Sequence, residues 1–417
     1  MSGALDGLLV ADFSRVLAGP FATMMLADLG AEVVKVERPD GGDETRSWGP
    51  PYDEHGRATY FLAVNRNKRS LALDLAGDSG RRRAQALAAR ADVLVENFRP
   101  GLMERFGLGY EQLRERNPRL IYCTITGFGE ANAQLPGYDL LAQALGGLMS
   151  ITGEEDGPPQ KVGVALVDVL CGLFATVGIL AALAHRERTG EGQRLGVDLL
   201  SALLCALVNQ GAAYTAGGTV PRRMGNRHPS IAPYEPLRCA DGELVIACGN
   251  DRQFASLCTA LGAGELAQDP RFATNPARVE HREALVAALE SRLARRPAAE
   301  WAQRLTAARV PAGTVNDIAQ AFALAERLGL QPIAAIPDRA RGGAVRLARN
   351  PIRLAATPAS YRLAPPELGE LSWEEIATRD PHGPSAAHPH GPPPGHSPAA
   401  AAPSRKNRGS EHPHKGR

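Results

Sequence analysis

The sequence predicts an α/β fold, with a large open parallel-sheet domain and a smaller α+β domain. Short β-rich runs alternate with helical patterns along the first half of the chain. At 417 residues the chain is too long for one ordinary hydrophobic core and suits two domains. Hydrophobic residues make up 44% of it and aromatic residues 5%, so the core must be built mainly from Ala, Leu and Val.

The alternation begins close to the N-terminus. Residues 8–13 (LLVADF) form a strand-like run, and residues 21–32 after the Gly19-Pro20 turn have helical spacing. Residues 32–37 (EVVKVE) complete a strand–helix–strand unit, from which parallel sheets are built. The pattern recurs as strands at 71–75, 92–98 and 120–128, with helices at 81–91 and 111–116. These runs predict an open, doubly wound, Rossmann-like sheet.

A long apolar stretch runs from Val162 to Ala184, and Asp168 is its only charged residue. The uncharged part, residues 169–184, is shorter than the roughly 20 residues that a bilayer requires. The stretch is therefore expected to be a buried core helix. The N-terminal segment has no basic region followed by a long apolar run. We expect a cytoplasmic protein that neither spans a membrane nor carries a signal peptide.

The second half of the chain suggests a change of domain. A turn, a short strand and a second long helix ending at Gly211 are predicted in residues 188–211, and Gly217, Gly218 and Pro221 then mark a hinge. The Asp241-Gly242 pair predicts a β-hairpin. We assign residues 1–215 to the first part of the large domain, 216–325 to the small domain with its linkers, 326–379 to a return to the large domain, and the Pro- and His-rich residues 380–417 to a disordered tail.

Composition and missing motifs exclude several classes of function. The balance of 47 basic against 45 acidic residues argues against a dedicated nucleic-acid surface. The six cysteines include no C-x-x-C pair, so we expect reduced thiols and no metal site. The turn after the first strand reads SRVLAGPFA, which lacks the G-x-G-x-x-G of dinucleotide-binding enzymes, and the P-loop, H-E-x-x-H and G-x-S-x-G motifs are also missing.

The residues that remain as candidates are one carboxylate and the residues, including an arginine each, that follow two of the predicted strands. Asp168 is either the N-cap of the apolar helix or a catalytic carboxylate, and the two roles are compatible because the N–H groups at a helix start stabilise negative charge. Arg38 follows the second predicted strand, and Asn97, Phe98 and Arg99 follow the fourth. The two arginines are either ordinary surface residues or a phosphate-binding pair.

Four blocks of sequence follow one another along the chain: LDGLLVADFSRVLAGPFATMMLADLGAEVVKVERPDGGDETRSWGPP, NRNKRSLALDL, ADVLVENFRPGLMERFGLGYEQLRERNPRLIYCTITGFG and GPPQKVGVALVDVLCGLFATVGILAALAHRERTGEGQRLGVDLLSALL. Together they resemble the family III CoA transferases, also called the CaiB/BaiF family. The resemblance covers residues 4–366 and is greatest to the succinyl-CoA:glutarate type, which transfers CoA between dicarboxylic acids.

This resemblance implies a mechanism and a set of contacts. It implies that Asp168 is the nucleophile and passes through an aspartyl anhydride and an aspartyl-CoA thioester. It also implies an interlaced homodimer, with coenzyme A or acyl-CoA as substrate and no tightly bound cofactor. The residues carried over as CoA contacts are Val16, Arg38, Leu73, Asn97, Phe98 and Arg105.

Residues 219–237 (TVPRRMGNRHPSIAPYEPL) resemble the corresponding block of dicarboxylate CoA transferases. Within it Arg222, Arg223, Arg227 and His228 are candidates to bind a second carboxylate, the alternative being a solvated basic hinge. Tyr60 and Tyr138 are assigned to the acyl pocket. Three positions depart from family patterns: Leu17 and residues 247–254 differ from formyl-CoA transferases, which disfavours oxalate or formate as substrate, and Leu371 stands where a His is expected.

Two other functions are compatible with the same fold. An α-methylacyl-CoA racemase would need a His base in an A-G-H-D-type motif, but the segment PGYDLLAQ has Tyr138 there. A non-catalytic CoA-binding protein is suggested by the unusual tail, whereas the presence of Asp168 speaks against it.

Overall fold

A six-stranded, entirely parallel sheet forms the centre of the computed structural model, which describes residues 3–378. The tail predicted at 380–417 lies outside the described residues. The strand order is β3-β2-β1-β4-β5-β6. Strands β2 and β3 are added on one side of β1, and β4 to β6 on its other side, with β1 parallel to both neighbours. This confirms the predicted doubly wound sheet. Its strands are β1 (Leu9–Asp12), β2 (Glu32–Glu37), β3 (Lys68–Ala72), β4 (Val93–Glu96), β5 (Ile121–Thr126) and β6 (Arg194–Asp198).

Helices cover both faces of this sheet and make up most of the smaller domain. They are α1 (Ala18–Asp28), α2 (Thr59–Val64), α3 (Asp78–Arg90), α4 (Leu102–Arg105), α5 (Tyr110–Arg114), α6 (Asp139–Leu145), α7 (Leu166–Thr189), α8 (Leu199–Ala206), α9 (Val208–Thr215), α10 (Asp251–Ala260), α11 (Asn275–Glu280), α12 (Arg282–Leu293), α13 (Ala298–Ala307), α14 (Ile318–Arg327) and α15 (Trp373–Ala377).

The long helix α7 packs against α1 and against strands β5 and β6. Val167, Cys171, Ala175 and Ile179 recur at helical spacing and are fully buried in the core cluster on this face of the sheet. By length and composition alone α7 could cross a membrane. Its inward face is nevertheless part of the hydrophobic core, as expected for the apolar stretch.

Three predicted elements differ from the structure. Gly19 and Pro20, predicted as a turn, are the second and third residues of α1, where proline is tolerated because the N–H groups of the first helical turn have no partner within the helix. Strand β3 begins at Lys68 rather than at residue 71, because the Lys68 ammonium is fully buried and paired with Asp12 (3.0 Å), which hydrophobic periodicity cannot reveal. The helix predicted to end at Gly211 is two helices that continue to Thr215. It breaks at Val208, whose φ of 44° is incompatible with a continuous right-handed helix.

The smaller domain contains an antiparallel sheet of three strands, β7 (Tyr234–Arg238), β8 (Glu243–Ala247) and β9 (Ala312–Gly313). The hairpin predicted at Asp241-Gly242 is confirmed, because β7 and β8 pair antiparallel on either side of it. A separate hydrophobic core, which includes Phe254 and Trp301, packs against this sheet. The domain boundaries assigned from the sequence remain predictions.

The C-terminal segment returns to the large sheet. A two-stranded antiparallel sheet, β10 (Ile333–Pro337) and β11 (Ala344–Ala348), is tied to α2 and β3 through the guanidinium of Arg66, which donates to the Ala348 carbonyl (3.0 Å). Leu371, which replaces the expected His, is buried in the core cluster on the α3 face of the sheet. A closing helix, α15, still follows it. Packing in the core is a sufficient reason for an apolar residue at 371.

Candidate active site

The turns that follow strands β1 to β4 gather at one edge of the sheet, because parallel strands all end on the same side. Val16 lies in the turn after β1, Arg38 directly after β2 and Leu73 directly after β3. Asn97 and Phe98 follow β4, and Arg105 is the last residue of the short helix α4 beyond them. The structure therefore brings most of the predicted CoA contacts to one edge of the sheet.

A cavity of about 180 Å³ opens at this edge. Among the described residues, Asp168 is its only carboxylate and Arg99 its only cationic side chain. No histidine, cysteine or lysine of residues 3–378 lines it. The lining consists of residues 97–100, 125–129 and 132–137, together with Ala18, Asp168 and Leu199.

Asp168 is in the first turn of α7, but it is not the N-cap that the sequence suggested. The N-cap position is Ala165, which has no side-chain oxygen. The N–H groups of Val167 and Asp168 instead donate to Oδ1 of Asp139, at the start of α6 (2.8 and 3.2 Å). The capping interaction that sequence spacing assigned to Asp168 is thus made by a residue from another helix.

A buried amide holds Asp139 in this position. Gln143 donates to Oδ2 of Asp139 (2.6 Å) and accepts the N–H of Val162 (2.9 Å), so it links α6 to the segment that leads into α7. No donor within residues 3–378 hydrogen-bonds the Asp168 carboxylate itself. The carboxylate is therefore oriented by its helix and left free to react.

Burial raises the pKa of Asp168 to about 7, and the negative charge of Asp139 adds to this effect. A carboxylate with little stabilisation from hydrogen-bond donors is a better nucleophile than one that is well solvated. A lone carboxylate with a strongly raised pKa in a cavity is also typical of a catalytic group.

The two tyrosines assigned to the acyl pocket occupy different environments. Burial and the nearby Asp168 carboxylate raise the pKa of Tyr60 to about 12, and its ring packs edge-to-face on Trp48 with centroids 5.4 Å apart. Tyr60 therefore lies within electrostatic range of Asp168. Tyr138 is 62% exposed at the start of α6 and does not line the cavity in the described chain.

The side chain of Asn97 has a role that sequence reasoning missed. Its Oδ1 accepts the N–H of Arg15, and its Nδ2 donates to the carbonyl of the same residue, both at 2.8 Å. The guanidinium of Arg15 lies 4.8 Å from the centre of the Phe98 ring. Asn97 therefore joins the turn after β1 to the turn after β4, and its amide oxygen and nitrogen are both occupied.

The residues proposed for a second carboxylate do not join the cavity in the described chain. Arg222 is exposed, and Nδ1 of His228 accepts the N–H of Ser230 (3.0 Å) while its ring packs on Tyr234. Arg223 donates to the Glu154 carbonyl (3.2 Å), and Arg227 lies near the carboxylates of Glu155 and Glu235. Residues 222–228 thus pack between the small domain and the segment that precedes α7.

The fold and the cavity define an α/β enzyme whose candidate nucleophile is a carboxylate at the carboxyl edge of a parallel sheet. Residues 5–372 match the model of CoA-transferase family III. The chain belongs to this family, and it is therefore an enzyme of the CoA-transferase class that acts on CoA thioesters.

Three similar proteins illustrate the match. The succinate–glutarate CoA-transferase of Agrobacterium fabrum is 44% identical over 387 residues, which cover 89% of this chain and 95% of that protein. The acetyl-CoA:oxalate CoA-transferase of Acetobacter aceti is 43% identical over 85% of this chain and 90% of its own length. The crystal structure of a CaiB/BaiF family protein from Brucella suis superposes with a TM-score of 0.79 at 44% identity, covering 90% of this chain and 98% of that one.

Proposed function

We propose that this enzyme transfers CoA from succinyl-CoA to a dicarboxylic acid, with glutarate as the first acceptor to test, and that Asp168 is the nucleophile. The observation that carries the proposal is that Asp168 is the only carboxylate of the described residues in the cavity, which lies at the edge where the predicted CoA contacts meet. The similarity to a succinate–glutarate CoA-transferase supports the choice of acids.

The chemistry proceeds by four displacements at acyl carbons. The Asp168 carboxylate attacks the thioester carbonyl of succinyl-CoA, the C–S bond breaks, and an aspartyl–succinyl anhydride and CoA thiolate form. The thiolate then attacks the aspartyl carbonyl, which releases succinate and leaves aspartyl-CoA. The acceptor carboxylate attacks this thioester to give a second anhydride and thiolate. Attack of the thiolate on the acceptor carbonyl yields the new acyl-CoA and restores Asp168.

This sequence conserves the energy of the thioester only if water does not hydrolyse the intermediates. The partial burial of Asp168 and the apolar cavity residues Phe98, Ile125 and Leu199 support such protection. Tyr60 is proposed to face the acyl group, since it lies within electrostatic range of Asp168.

The distal carboxylate of the acid requires a cation. Arg222 and His228 remain our proposal for this role, acting from the segment that precedes the small domain. Arg99 is the alternative, because it lines the cavity itself and no described side chain forms an ion pair with it. Comparing Arg99→Met with Arg222→Met by their KM for the acid distinguishes the two, since only the residue that binds the distal carboxylate is expected to raise it.

A homodimer is part of the proposal. The outward face of α7 exposes Leu173, Phe174, Val177 and Leu180, and α14 buries none of its residues within the described chain. Exposed apolar helix faces of this kind favour association. Light scattering is expected to give about twice the chain mass of 44.2 kDa, and Val177→Asp should reduce the measured mass. A wild-type protein of single-chain mass would contradict the dimer.

We also propose a cytoplasmic enzyme that binds neither nucleic acid nor membranes and holds no cofactor tightly. The near balance of 47 basic and 45 acidic residues supports the first point, and the packing of α7 into the core supports the second. A reaction that only exchanges acyl groups needs no redox or metal cofactor.

The experiment is to incubate the enzyme with succinyl-CoA and, separately, glutarate, malate, mesaconate, itaconate or oxalate, and to follow acyl-CoA species by mass spectrometry. Glutaryl-CoA formation is expected to be fastest. Oxalyl-CoA as the main product would replace our assignment of the acceptor with that of the Acetobacter relative. Exchange with none of the acids, in a folded protein that binds CoA, would overturn the proposed substrates and make epimerisation of a 2-methylacyl-CoA the next assay.

A further inference from the structure

Side chains bond most of the backbone groups in the turn between β1 and α1, residues 14–17. Asp12 accepts the N–H of Ser14 (3.0 Å), and Nζ of Lys35 donates to the Ser14 carbonyl (2.9 Å). Asn97 pairs with the N–H and the carbonyl of Arg15. So many side-chain partners indicate that the conformation of the turn is imposed by the surrounding residues.

Val16 adopts a conformation that its side chain disfavours. Its φ is 69°, in the left-handed region where β-branched residues are rarely found. The N–H of Val16 points at both oxygens of the Asp43 carboxylate, at 3.3 and 3.2 Å. Strained backbone of this kind persists only where neighbouring groups fix it. Asp43 is the described side chain that bonds the backbone of Val16 directly.

Asp43 is itself rigidly anchored. Its Oδ2 lies 2.9 Å from Nζ of Lys35, and both side chains are fully buried. Oδ1 accepts the N–H and the hydroxyl of Thr45 (3.0 and 2.8 Å). Burial alone raises the pKa of Asp43, but the Lys35 ammonium and the Thr45 donors hold it below its usual range. The carboxylate is thus charged and immobile.

One peptide unit of the turn remains unpaired. Among the hydrogen bonds within residues 3–378, none uses the carbonyl of Val16 or the N–H of Leu17. The next residue, Ala18, lines the cavity that contains Asp168. The Val16–Leu17 peptide therefore carries a free acceptor and a free donor beside the candidate active site. An amide group, such as those of the pantetheine arm of acyl-CoA, is complementary to such a pair.

We propose that Asp43 is a positioning residue for acyl-CoA: it holds Val16 in the left-handed conformation so that the Val16–Leu17 peptide faces the substrate. The inference rests on the proposed function in that it takes acyl-CoA as the ligand of this edge of the sheet. Asp43 acts through the backbone of Val16 and does not touch the substrate.

The test compares Asp43→Asn, Val16→Gly and the double variant, using the KM for succinyl-CoA, kcat and the Kd for CoA by calorimetry. Asp43→Asn replaces one of the two oxygens that face the Val16 N–H by an amide donor. It is therefore expected to raise KM and Kd about tenfold, with kcat changed much less. Because glycine adopts a positive φ without steric cost, the double variant is expected to bind CoA nearly as well as Val16→Gly alone. A purely structural role for Asp43 would give no such rescue, since glycine does not restore the buried ion pair.

Asp28→Asn is the matched control, because Asp28 forms an equally buried ion pair with Arg66 (2.7 Å), which ties the C-terminal segment rather than the turn. It is expected to lower thermal stability without raising KM. If Asp43→Asn does not fold, Thr45→Val removes one donor to Asp43 and should raise KM by a smaller factor. An unchanged KM and Kd in either folded Asp43 or Thr45 variant, or an equal rise in Asp28→Asn, would overturn the proposal. CoA binding without exchange in the wild type would refute the proposed substrates but leave this test intact.

Discussion

Replacement of Asp168 by alanine is expected to reduce CoA exchange by roughly 10³-fold or more, the size of effect seen when a covalent nucleophile is removed. No other carboxylate of the described residues lines the cavity, so none is placed to take over the attack. The side chain makes no hydrogen bond within residues 3–378, so its removal should leave the fold intact. The measurement is initial-rate acyl-CoA exchange, with CoA binding determined in parallel by calorimetry.

Asp198→Ala provides the control for this variant. Asp198 caps α8 by accepting the N–H of Ser201 (2.8 Å) and precedes the cavity residue Leu199, but it does not line the cavity. It should lose some stability and retain most of its exchange activity. If Asp168→Ala bound CoA and exchanged acids at a rate close to that of the wild type, Asp168 would not be the nucleophile.

Activity is expected to rise with pH through about 7, because the nucleophile must be ionised and the pKa of Asp168 is about 7. Well below that pH the ionised fraction falls tenfold for each unit, so kcat/KM should be roughly a hundredfold lower at about pH 5 than at about pH 8. An ordinary exposed aspartate, with its pKa near 3.8, would produce no such loss in this range. The measurement is a pH profile of kcat/KM for succinyl-CoA.

Asp139→Asn tests the cause of this pH dependence. The asparagine oxygen can still accept the N–H groups of Val167 and Asp168, but the negative charge that helps to raise the pKa of Asp168 is lost. The acid limb of the profile is expected to move to lower pH by about one pH unit. It should stay above that of an exposed aspartate, since burial is the larger cause. An unmoved limb in the folded variant would show that Asp139 only caps α7.

The sheet could be predicted from the sequence because its signals are local. Strand β2 has the predicted bounds, and β4 and β5 lie within the predicted runs, since continuous apolar residues between turn signals are typical of buried parallel strands. The break at Val208 and the early start of β3 were missed. The early start of β3 depends on a long-range partner, Asp12 for Lys68, and the break at Val208 on a single backbone angle, and periodicity reports neither.

In the candidate site, too, features with a local sequence signal were predicted and features that depend on contacts in the fold were not. Asp168 stood out as the one charge in a long apolar stretch, and Arg38, Asn97 and Phe98 fell at strand ends, where an open sheet binds ligands. The other CoA contacts came only from the family resemblance. The capping role of Asp139 was not predictable, because it lies 28 residues before Val167 in sequence and meets it only in the fold. The occupied amide of Asn97 likewise depends on its contact with the turn after β1, and the charged Lys35–Asp43 pair on the burial of both side chains. Arg222 and His228 stay a prediction, since nothing in the described chain brings them to the cavity.

The most direct test of the central claim is to trap the covalent intermediate. The enzyme is mixed with succinyl-CoA without an acceptor acid, treated with hydroxylamine, digested, and the peptide that contains Asp168 is sequenced by tandem mass spectrometry. An aspartyl-CoA thioester predicts a hydroxamate on Asp168 that forms only when acyl-CoA is present. An unmodified Asp168 in an enzyme that exchanges acids under the same conditions, or a hydroxamate on a different carboxylate, would contradict the account.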